Sequence, residues 1–478
     1  MSDERRVLGL LHRADWTRLR LSAVTSGGSA VLIAPGKRYR YENAEYVTGC
    51  DGGRPWELCL DEDEPDSSVH WISGPEPPLR RLLCPAWLLE DSALEVVGRD
   101  RACGRDAFDV AVSRRARSRA VPALPGDPAA PVRVLVDAEL GILLRLAEPD
   151  QDGESKVSEL VRADFNPVID PGRFAPPPGS RIAESTGEML GNVLGPAWLA
   201  AKTAGGLAAG ALGAWIRYGP SRRAEPPDTG IDLEATIPAD EPPPDLSADR
   251  VPAGPPVSDE VLELLYAGGP ERFEGTLHQW IGFGGLASSV PASARRAGFG
   301  GVGLLMDAIA NVPATAHQIS RIRFAGPERY QIDHARQPRH GPVTIACDGK
   351  RSWHVYPDKI TTGPARPLPR NVRDLADPSW LLRCWLSGGT TDPAGGQPAA
   401  WRINAGRRPG DESTALMFPA AVARIDAALG LVLRLTAYVG NQAVQRHELR
   451  DVTTDIGDFQ INIPRDRPIV HESRPFPA

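Results

Sequence analysis

The sequence contains the same long series of motifs twice, in the same order. A Cys-Asp-Gly turn followed by a tryptophan occupies 50–56 and again 347–353. Two further motifs, Pro-x-Trp-Leu-Leu and Asp-Ala-x-Leu-Gly, also recur in order. The paired positions are Trp56 and Trp353, Trp87 and Trp380, and Asp137 and Asp426. The copies lie about 290 residues apart, which is too long for a solenoid repeat and typical of a duplicated domain. We therefore expect one domain type to be used twice.

The size and charge of the chain agree with two domains and a linker. The chain has 478 residues, of which 24% are charged and 41% hydrophobic, both ordinary values for globular proteins. The formal charge of −7 argues against nonspecific binding of nucleic acid, which needs a net basic face. Six scattered cysteines without a CxxC pair indicate neither a disulfide framework nor a zinc site. We expect no metal and no cofactor.

The repeated opening of each unit sets the expected domain boundaries. Ser2 or Asp3 precedes an apolar helical pattern at 7–11, which predicts a capped amphipathic helix, and residues 257–265 repeat that opening. The expected organisation is a first unit at 1–182, a linker at 183–256, a second unit at 257–466 with an insertion at about 281–315, and a tail at 467–478.

The linker has two parts of different composition. Residues 240–256 are rich in proline and acid, which predicts an extended, disordered stretch. Residues 189–216 are rich in glycine, alanine and leucine, and they predict a helix packed on a sheet or a weakly ordered connection. An interfacial helix at a membrane surface, with Trp198 and Trp215 at the headgroups, is an open alternative. A membrane span is disfavoured because Lys202 lies in the middle of the run.

The N-terminal residues contain no basic cluster followed by a long apolar run, so no secretory signal is expected. The expected location is therefore cytoplasmic, with peripheral membrane contact through 189–216 as the open question.

Short alternating segments and closely spaced turns predict an α+β fold built on antiparallel sheets with few helices. Asp51 and Asp348 each precede glycine, and Asp137 and Asp426 each open a turn that ends in glycine. Aspartates at such places accept hydrogen bonds from turn backbone, so we predict a structural role for all four.

The ordered series of motifs resembles the LolA-like fold family. This family includes periplasmic lipoprotein carriers, mycobacterial lipid-carrying lipoproteins and the large domain of the regulator RseB. The resemblance rests in the first unit on 39–41, 51–56, 85–89, 136–146 and 165–174, and in the second on 329–330, 348–353, 378–382, 425–435 and 451–464. It implies two tandem open antiparallel β half-barrels, each covered on its concave face by a few helices over an apolar cavity. The chain departs from the carriers in lacking an export signal and in joining two units.

The sequence favours binding over catalysis. It contains no GxSxG, HExxH or phosphate-loop motif, and the GxGxxG at 298–303 does not follow a predicted strand. The nine histidines are dispersed, and His334 and His340 are predicted to lie in a polar surface loop. No catalytic residue is expected, and hydrolase chemistry is the weakest of the alternatives.

The tryptophans and the leucines beside them are the predicted ligand-contacting residues. Core filling is the simpler explanation, since an indole buries on the order of 200 Å². The candidates are Trp56, Trp87, Leu88, Trp353, Trp380, Leu381 and Trp385, with Trp87 and Trp380 foremost. The leading hypothesis is non-enzymatic binding of a hydrophobic small molecule or acyl chain. The alternative is a protein-interaction regulator that holds a partner protein or peptide, as the resemblance to RseB implies.

Overall fold

A computed structural model of the chain describes part of each predicted unit. The described residues are 2–53, 56–59, 68–71, 77–114, 132–149, 155–176, 181–182, 254–282, 315–326, 328–337, 341–392, 399–406, 408, 420–439, 442–457, 459–461, 463–464 and 466–471. The linker at 183–253 and the insertion at 283–314 lie outside these residues, and so do the predictions made for them. Among the described residues, no helix has the length and apolar character needed to cross a membrane.

Two twelve-stranded sheets make up most of the described chain. The first contains β1 Leu21–Thr25, β2 Ala30–Ala34, β3 Arg38–Glu42, β4 Tyr46–Asp51, β5 Trp56–Cys59, β6 Ser68–Trp71, β7 Ser92–Ala102, β8 Arg105–Arg114, β9 Val132–Asp137, β10 Leu143–Pro149, β11 Ser155–Phe165 and β12 Arg181–Ile182. The second contains β13 Phe273–Gly282, β14 Thr315–Phe324, β15 Arg329–Gln337, β16 Gly341–Asp348, β17 Arg351–Val355, β18 Ile360–Pro364, β19 Trp385–Asp392, β20 Ala400–Gly406, β21 Ala420–Asp426, β22 Val432–Val439, β23 Gln442–Thr453 and β24 Ile469–His471.

The two sheets have the same strand order, position by position. The first runs β7-β8-β9-β10-β11-β1-β2-β3-β4-β5-β6-β12, and the second runs β19-β20-β21-β22-β23-β13-β14-β15-β16-β17-β18-β24. Neither order closes on itself, so both sheets are open, as predicted. A strand of one sheet can therefore be compared directly with the strand at the same place in the other.

One strand in each sheet departs from the predicted antiparallel pattern. β12 pairs in parallel with β6, and β24 pairs in parallel with β18. In each sheet this strand lies at the far edge, beyond strands that come much earlier in the chain. The chain thus returns to the edge after completing the rest of the sheet, which gives the last strand its parallel direction.

A few short helices accompany the sheets. They are α1 Asp3–Arg13, α2 Pro77–Leu83, α3 Leu88–Asp91, α4 Asp259–Ala267 and α5 Arg370–Ala376, with 3₁₀ turns at Trp16–Arg18, Pro85–Trp87, Pro171–Phe174 and Pro378–Arg383. The predicted caps are confirmed, since the Ser2 and Ser258 side chains accept hydrogen bonds from the backbone N–H of Arg5 and Val261.

The two faces of each sheet have different partners. In the first sheet Leu21, Ile33 and Tyr39 share one face with Cys50, and they pack into the apolar core together with α1 and α2. We call this the inner face. Residues at alternate positions lie on the outer face. The second sheet has the same arrangement, with Phe324, Tyr330 and Cys347 among its inner-face residues.

The predicted aspartate turns hold each sheet as expected. The Asp137 carboxylate accepts from the backbone N–H of Glu139 and Leu140, and Asp426 accepts from those of Ala428 and Leu429. Gly141, at φ 72°, ends the first of these turns against α1, where a Cβ would lie 2.1 Å from the Leu10 carbonyl oxygen. Only glycine allows this close approach.

Equivalent helices bring the two halves together. When α1 and α4 are aligned on their buried residues, position 5 corresponds to 259 and position 9 to 263. Arg5 pairs with Glu263, and reciprocally a Cβ on Gly9 would lie 3.2 Å from Asp259 Oδ1. Such reciprocal contacts are those of a twofold-symmetric interface. The halves therefore meet as a pseudo-symmetric pair with one continuous apolar core.

A second pair of equivalent segments completes this junction. Glu90 of α3 forms an ion pair with Arg383, at 2.7 Å between Oε2 and Nη1, and the Ser379 hydroxyl donates to the Glu90 carbonyl. Counted from the repeated tryptophans Trp87 and Trp380, Glu90 and Arg383 occupy the same position in their motifs. The pseudo-twofold axis thus passes beside this ion pair.

Candidate functional site

Trp56 and Trp353 lie on the outer faces of their sheets. Trp56 is paired across β4 with Gly49, and its Nε1 donates to the Phe174 carbonyl at 3.0 Å, in the segment that follows β11. Trp353 is paired with Ala346 at the same place in the second sheet. The two residues therefore occupy equivalent strand positions on the face away from the covering helices, although Trp56 is fully buried and Trp353 is partly exposed. Contact between these indoles and a ligand stays a prediction, and a ligand on the inner face would not reach them.

Trp87 and Trp380 lie at the junction between the halves. Each indole N–H donates to the backbone carbonyl six residues earlier, that of Arg81 at 3.2 Å and that of Asp374 at 2.8 Å. The Arg81 guanidinium lies 4.6 Å from the Trp87 ring centroid. These contacts fold α2 and α5 onto the following 3₁₀ turns, which gives both residues a structural role. A ligand contact for them remains untested.

The remaining candidates pack in the same region. Leu88 and Leu381 are both fully buried in the shared core. Trp385 begins β19 and is half-buried, with the Arg408 guanidinium 5.8 Å from its ring. The predicted set therefore divides between the outer faces and the junction, and the structure does not bring it together around one site.

The inner faces of the two sheets differ in the size of their side chains. In the first sheet Val112 of β8 faces Val132 of β9. At the same places in the second sheet Ala405 of β20 faces Ala421 of β21. At the next inner-face position of the same strands, Ala423 of β21 stands where β9 has Val134. All six side chains are buried in the core. We call Ala405, Ala421 and Ala423 the alanine floor. It has less side-chain volume than the valines at the same places in the first sheet, although Ile403 takes the place of Val110 opposite Ala423.

Beside the alanine floor, the second sheet carries a band of uncharged polar side chains. They share the inner face with Leu277, Ile332 and Leu449 because they lie at alternate positions on the same strands. This polar band consists of Gln279 on β13, Gln318 and Ser320 on β14, His334 on β15, and Gln445 and His447 on β23. It crosses four neighbouring strands at the end of the apolar face.

Hydrogen bonds fix the protonation of both histidines in the band. The Gln445 and Gln279 amides donate to His447 Nε2, at 2.6 and 3.3 Å. The Gln318 amide and the Ser320 hydroxyl donate to His334 Nδ1, at 3.0 and 2.8 Å. A ring nitrogen that accepts carries no proton, so both rings are neutral. Among the described residues, His447 Nδ1 and His334 Nε2 form no hydrogen bond.

Burial keeps these imidazoles neutral over most of the pH range. Desolvation lowers the pKa of His447 to about 4. Desolvation also lowers the pKa of His334 to about 4, although the nearby Asp333 carboxylate acts in the opposite direction. The charged neighbours on these strands lie mainly on the outer face, where Arg434 pairs with Glu448 at 3.1 Å. The polar band therefore offers neutral donors and acceptors.

The predicted loop position of His334 is wrong. His334 lies in β15 and is partly buried, and His340 lies outside the described residues. The alternation of apolar and polar residues from Tyr330 to Asp333 could have predicted a strand there. The other members of the band were missed because glutamine and histidine are poor markers of a buried strand. Within the described residues, no group of three acidic, histidine or cysteine side chains is arranged to hold a metal ion.

The fold and site define a class of protein: open, mainly antiparallel sheets, each with helices on one face and apolar side chains between. No protein-family model matches the sequence, and no curated protein matches it.

Three solved structures are similar to part of this chain. An uncharacterised conserved protein from Thermus thermophilus matches with a TM-score of 0.26 and 10% identity, over 45% of this chain and 98% of that one. The Pseudomonas aeruginosa MucA/MucB complex matches at 0.24 and 15%, over 38% and 64%. A LolA superfamily protein from Nitrosomonas europaea matches at 0.21 and 7%, over 42% and 95%. All three TM-scores are below 0.5, so function is inferred below from the residues of this chain.

Proposed function

We propose that this protein binds a hydrophobic small molecule or acyl chain without transforming it, and that the inner face of the second sheet holds the ligand. The observation that carries the proposal is the alanine floor. Ala405, Ala421 and Ala423 stand where the first sheet has valines. Apolar ligand sites are concave and lined mainly by hydrophobic side chains, with a few polar groups that fix orientation. The polar band beside the floor fits the second requirement.

The proposal treats the two halves as tandem LolA-like units that arose by duplication and then diverged. The common strand order and the reciprocal contacts between α1 and α4 support this history. In this view the first half, with its valine floor, is the structural partner and the second half is the binding unit. The domain limits at 182 and 257, and a cytoplasmic location with membrane contact through 189–216, belong to the proposal.

The test makes opposite substitutions at two equivalent positions, one in each sheet. Ala421→Val fills the proposed site with the side chain that the first sheet carries, and Val132→Ala makes the reverse change in the first sheet. The full chain is purified from cells and extracted with organic solvent. The extracted lipid is then quantified by mass spectrometry and expressed as molecules per protein chain. We expect an apolar molecule near one per chain in the wild type, about tenfold less with Ala421→Val, and no change with Val132→Ala.

Two results would contradict the proposal. One is a wild-type protein that yields no lipid and binds neither an added fatty acid nor an added monoacylglycerol. The other is equal loss of ligand in both variants, which would mean that general destabilisation is responsible. Thermal melts of the same samples show whether each variant is folded. Pelleting of the protein with membranes at high salt tests the proposed membrane contact.

A partner protein is the second candidate function, and one edge of the first sheet favours it. In the second sheet, the edge strand β19 is covered by the preceding chain, since Gly388 N donates to the Pro255 carbonyl at 2.8 Å. Among the described residues, the equivalent strand β7 pairs with β8 as its only strand neighbour, and its Leu94 N–H donates to the Tyr266 hydroxyl at 2.7 Å. An open edge can accept a strand from another protein. Hydrogen exchange at the β7 amides, with and without a captured partner, tests this.

A further inference from the structure

We propose that the polar band of the second sheet binds the uncharged polar end of an amphiphilic lipid, such as the ester and hydroxyl groups of an acylglycerol, while the acyl chain lies over the alanine floor. This inference rests on the proposed function and adds the chemical class of the ligand.

The position of the band is the first argument. Gln279 pairs with His447 on one side and with Gln318 on the other, so three polar residues stand side by side across β23, β13 and β14. Beyond β23 the same rows continue with Leu435 and Ala437 of β22, and then with Ala423 and Ala421 of β21. A ligand that lies across the strands therefore meets hydrogen-bonding groups over β14, β13 and β23, and hydrocarbon over β22 and β21. This order suits a molecule with an apolar chain and a polar end.

The chemistry of the band is the second argument. His447 is buried, at 7% exposure, and its Nδ1–H forms no hydrogen bond with any described residue. His334 is partly buried, and its Nε2–H likewise forms no hydrogen bond with any described residue. The two N–H groups are donors that suit carbonyl or hydroxyl oxygens, and the glutamine carbonyls are acceptors that suit hydroxyl groups. A ligand oxygen that accepts from either N–H would add a hydrogen bond that no described residue provides.

The lack of charge in the band selects against anionic lipids. A carboxylate or phosphate that is taken out of water needs a cation or several strong donors. None of the six residues of the band carries a positive charge. The Arg366 guanidinium lies farther along the sheet, where its Nη1 is 3.5 Å from His354 Nε2 on β17. Fatty-acid carboxylates and phospholipid phosphates are therefore poorer ligands than neutral esters.

The first half lacks the strand extensions that carry the band. There, β1 ends at Thr25, and a tight turn returns the chain at Ser29, with Gly28 N donating to the Thr25 carbonyl. In the second half, β13 continues to Gly282 and β14 begins at Thr315. Ser29 and Ser320 occupy the same place, but Ser29 bonds to the Tyr41 hydroxyl inside the apolar face. The band is thus specific to the second half.

The test measures which polar end the protein prefers. Full-length protein, stripped of endogenous lipid, is titrated by calorimetry with monopalmitoylglycerol, with palmitate and with palmitoyl lysophosphatidic acid below their critical micelle concentrations. We expect monopalmitoylglycerol to bind at least tenfold more tightly than either anion. The double variant Gln279→Leu/Gln318→Leu should weaken monopalmitoylglycerol about tenfold and leave palmitate within about twofold. Each histidine keeps one partner in this variant, Gln445 or Ser320, so the fold is retained.

The controls separate the possible failures. Gln460→Leu makes the same chemical change at an exposed site and should alter no affinity. Equal affinities for the three lipids, or a double variant that binds as the wild type does, would overturn the neutral-head assignment and leave the proposed function standing. If the protein bound none of the three lipids, both the neutral-head assignment and the proposed function would be overturned. A neutral apolar peptide that displaces monopalmitoylglycerol at lower concentration would assign the band to a peptide and overturn the lipid assignment.

Discussion

The two halves of the molecule share a strand order and differ at one end of one face. The first half closes β1 and β2 with a turn at Thr25–Ser29 and packs valines on its inner face. The second half extends the same strands, places a polar band on them and packs alanines beside it. The scaffold is common to both, and this difference lies on the face that holds the proposed site. A comparison of equivalent positions therefore tests which residues maintain the fold and which belong to the proposed site.

The largest expected effect concerns the core that the halves share. Leu88→Ala and Leu381→Ala remove equivalent, fully buried side chains beside the junction. Each should lower the free energy of unfolding by about 2–5 kcal/mol. Because the core is continuous, both should shift the same single transition in urea denaturation followed by fluorescence and circular dichroism. Two separate transitions, each moved by only one of the variants, would show that the halves unfold independently.

Acid should destabilise the second half through its buried histidines. The pKa of His447 is about 4 when folded, and the ordinary value is 6.5. Between these values the unfolded chain takes up a proton that the folded chain does not, so stability falls as the pH drops from 6.5 towards 4. His447 alone should cost about 2 kcal/mol at pH 5, and His334 acts in the same direction.

Urea midpoints at pH 7, 6 and 5 measure this dependence. The His334→Gln/His447→Gln variant should show a shallower decline over that range. His12, buried at the junction beside Arg408 and Arg13, also has a pKa well below its ordinary value and is present in both proteins. Identical slopes for variant and wild type would mean that the band does not titrate as described.

A smaller effect should distinguish the outer faces. In the first sheet Trp56 lies flat on Gly49, where a Cβ would be 2.4 Å from ring atom Cζ2. In the second sheet Trp353 stands opposite Ala346, which is fully buried. Gly49→Ala should cost about 1–3 kcal/mol by overpacking, while Ala346→Gly should cost under about 1 kcal/mol. Similar stability for Gly49→Ala and the wild type in thermal melts would show that Trp56 can move aside.

The smallest expected effect concerns the ion pair on the pseudo-twofold axis. Glu90→Arg places two arginines at equivalent positions, and Arg383→Glu places two glutamates there. Each single variant should lose about 1 kcal/mol, since both partners are partly exposed, and the double exchange should recover most of the loss. A double-mutant cycle in urea measures the coupling. A coupling near zero would show that the pair contributes little to the junction.

Local signals predicted the parts of the fold that local chemistry determines. The aspartate turns, the helix caps at Ser2 and Ser258 and the strands around each repeated tryptophan follow from short-range hydrogen bonding and alternation. The face that Trp56 occupies could not be predicted in this way. Alternation shows that neighbours point to opposite faces, but the partner that covers Trp56 is Phe174, which is 118 residues away.

The candidate site was harder to predict than the fold. Its floor is defined by the absence of side-chain volume at Ala405 and Ala421, and alanine is common everywhere in this sequence. Only the structural alignment with Val112 and Val132 gives these alanines a meaning. The polar band depends on the lengths of β13 and β14, and the sequence predicted an insertion at 281–315 without showing that strands continue on both sides of it.

The parallel strands β12 and β24 have a consequence for the behaviour of the protein in solution. Each covers the backbone donors and acceptors at one border of its sheet, with Ile469 beside Ile360 in the second. An uncovered border is a template on which further copies of a chain can stack. Removal of 469–471 should therefore promote self-association before it affects ligand binding. β24 is itself an edge strand, but it has only three residues, and a very short edge offers little template for a further strand.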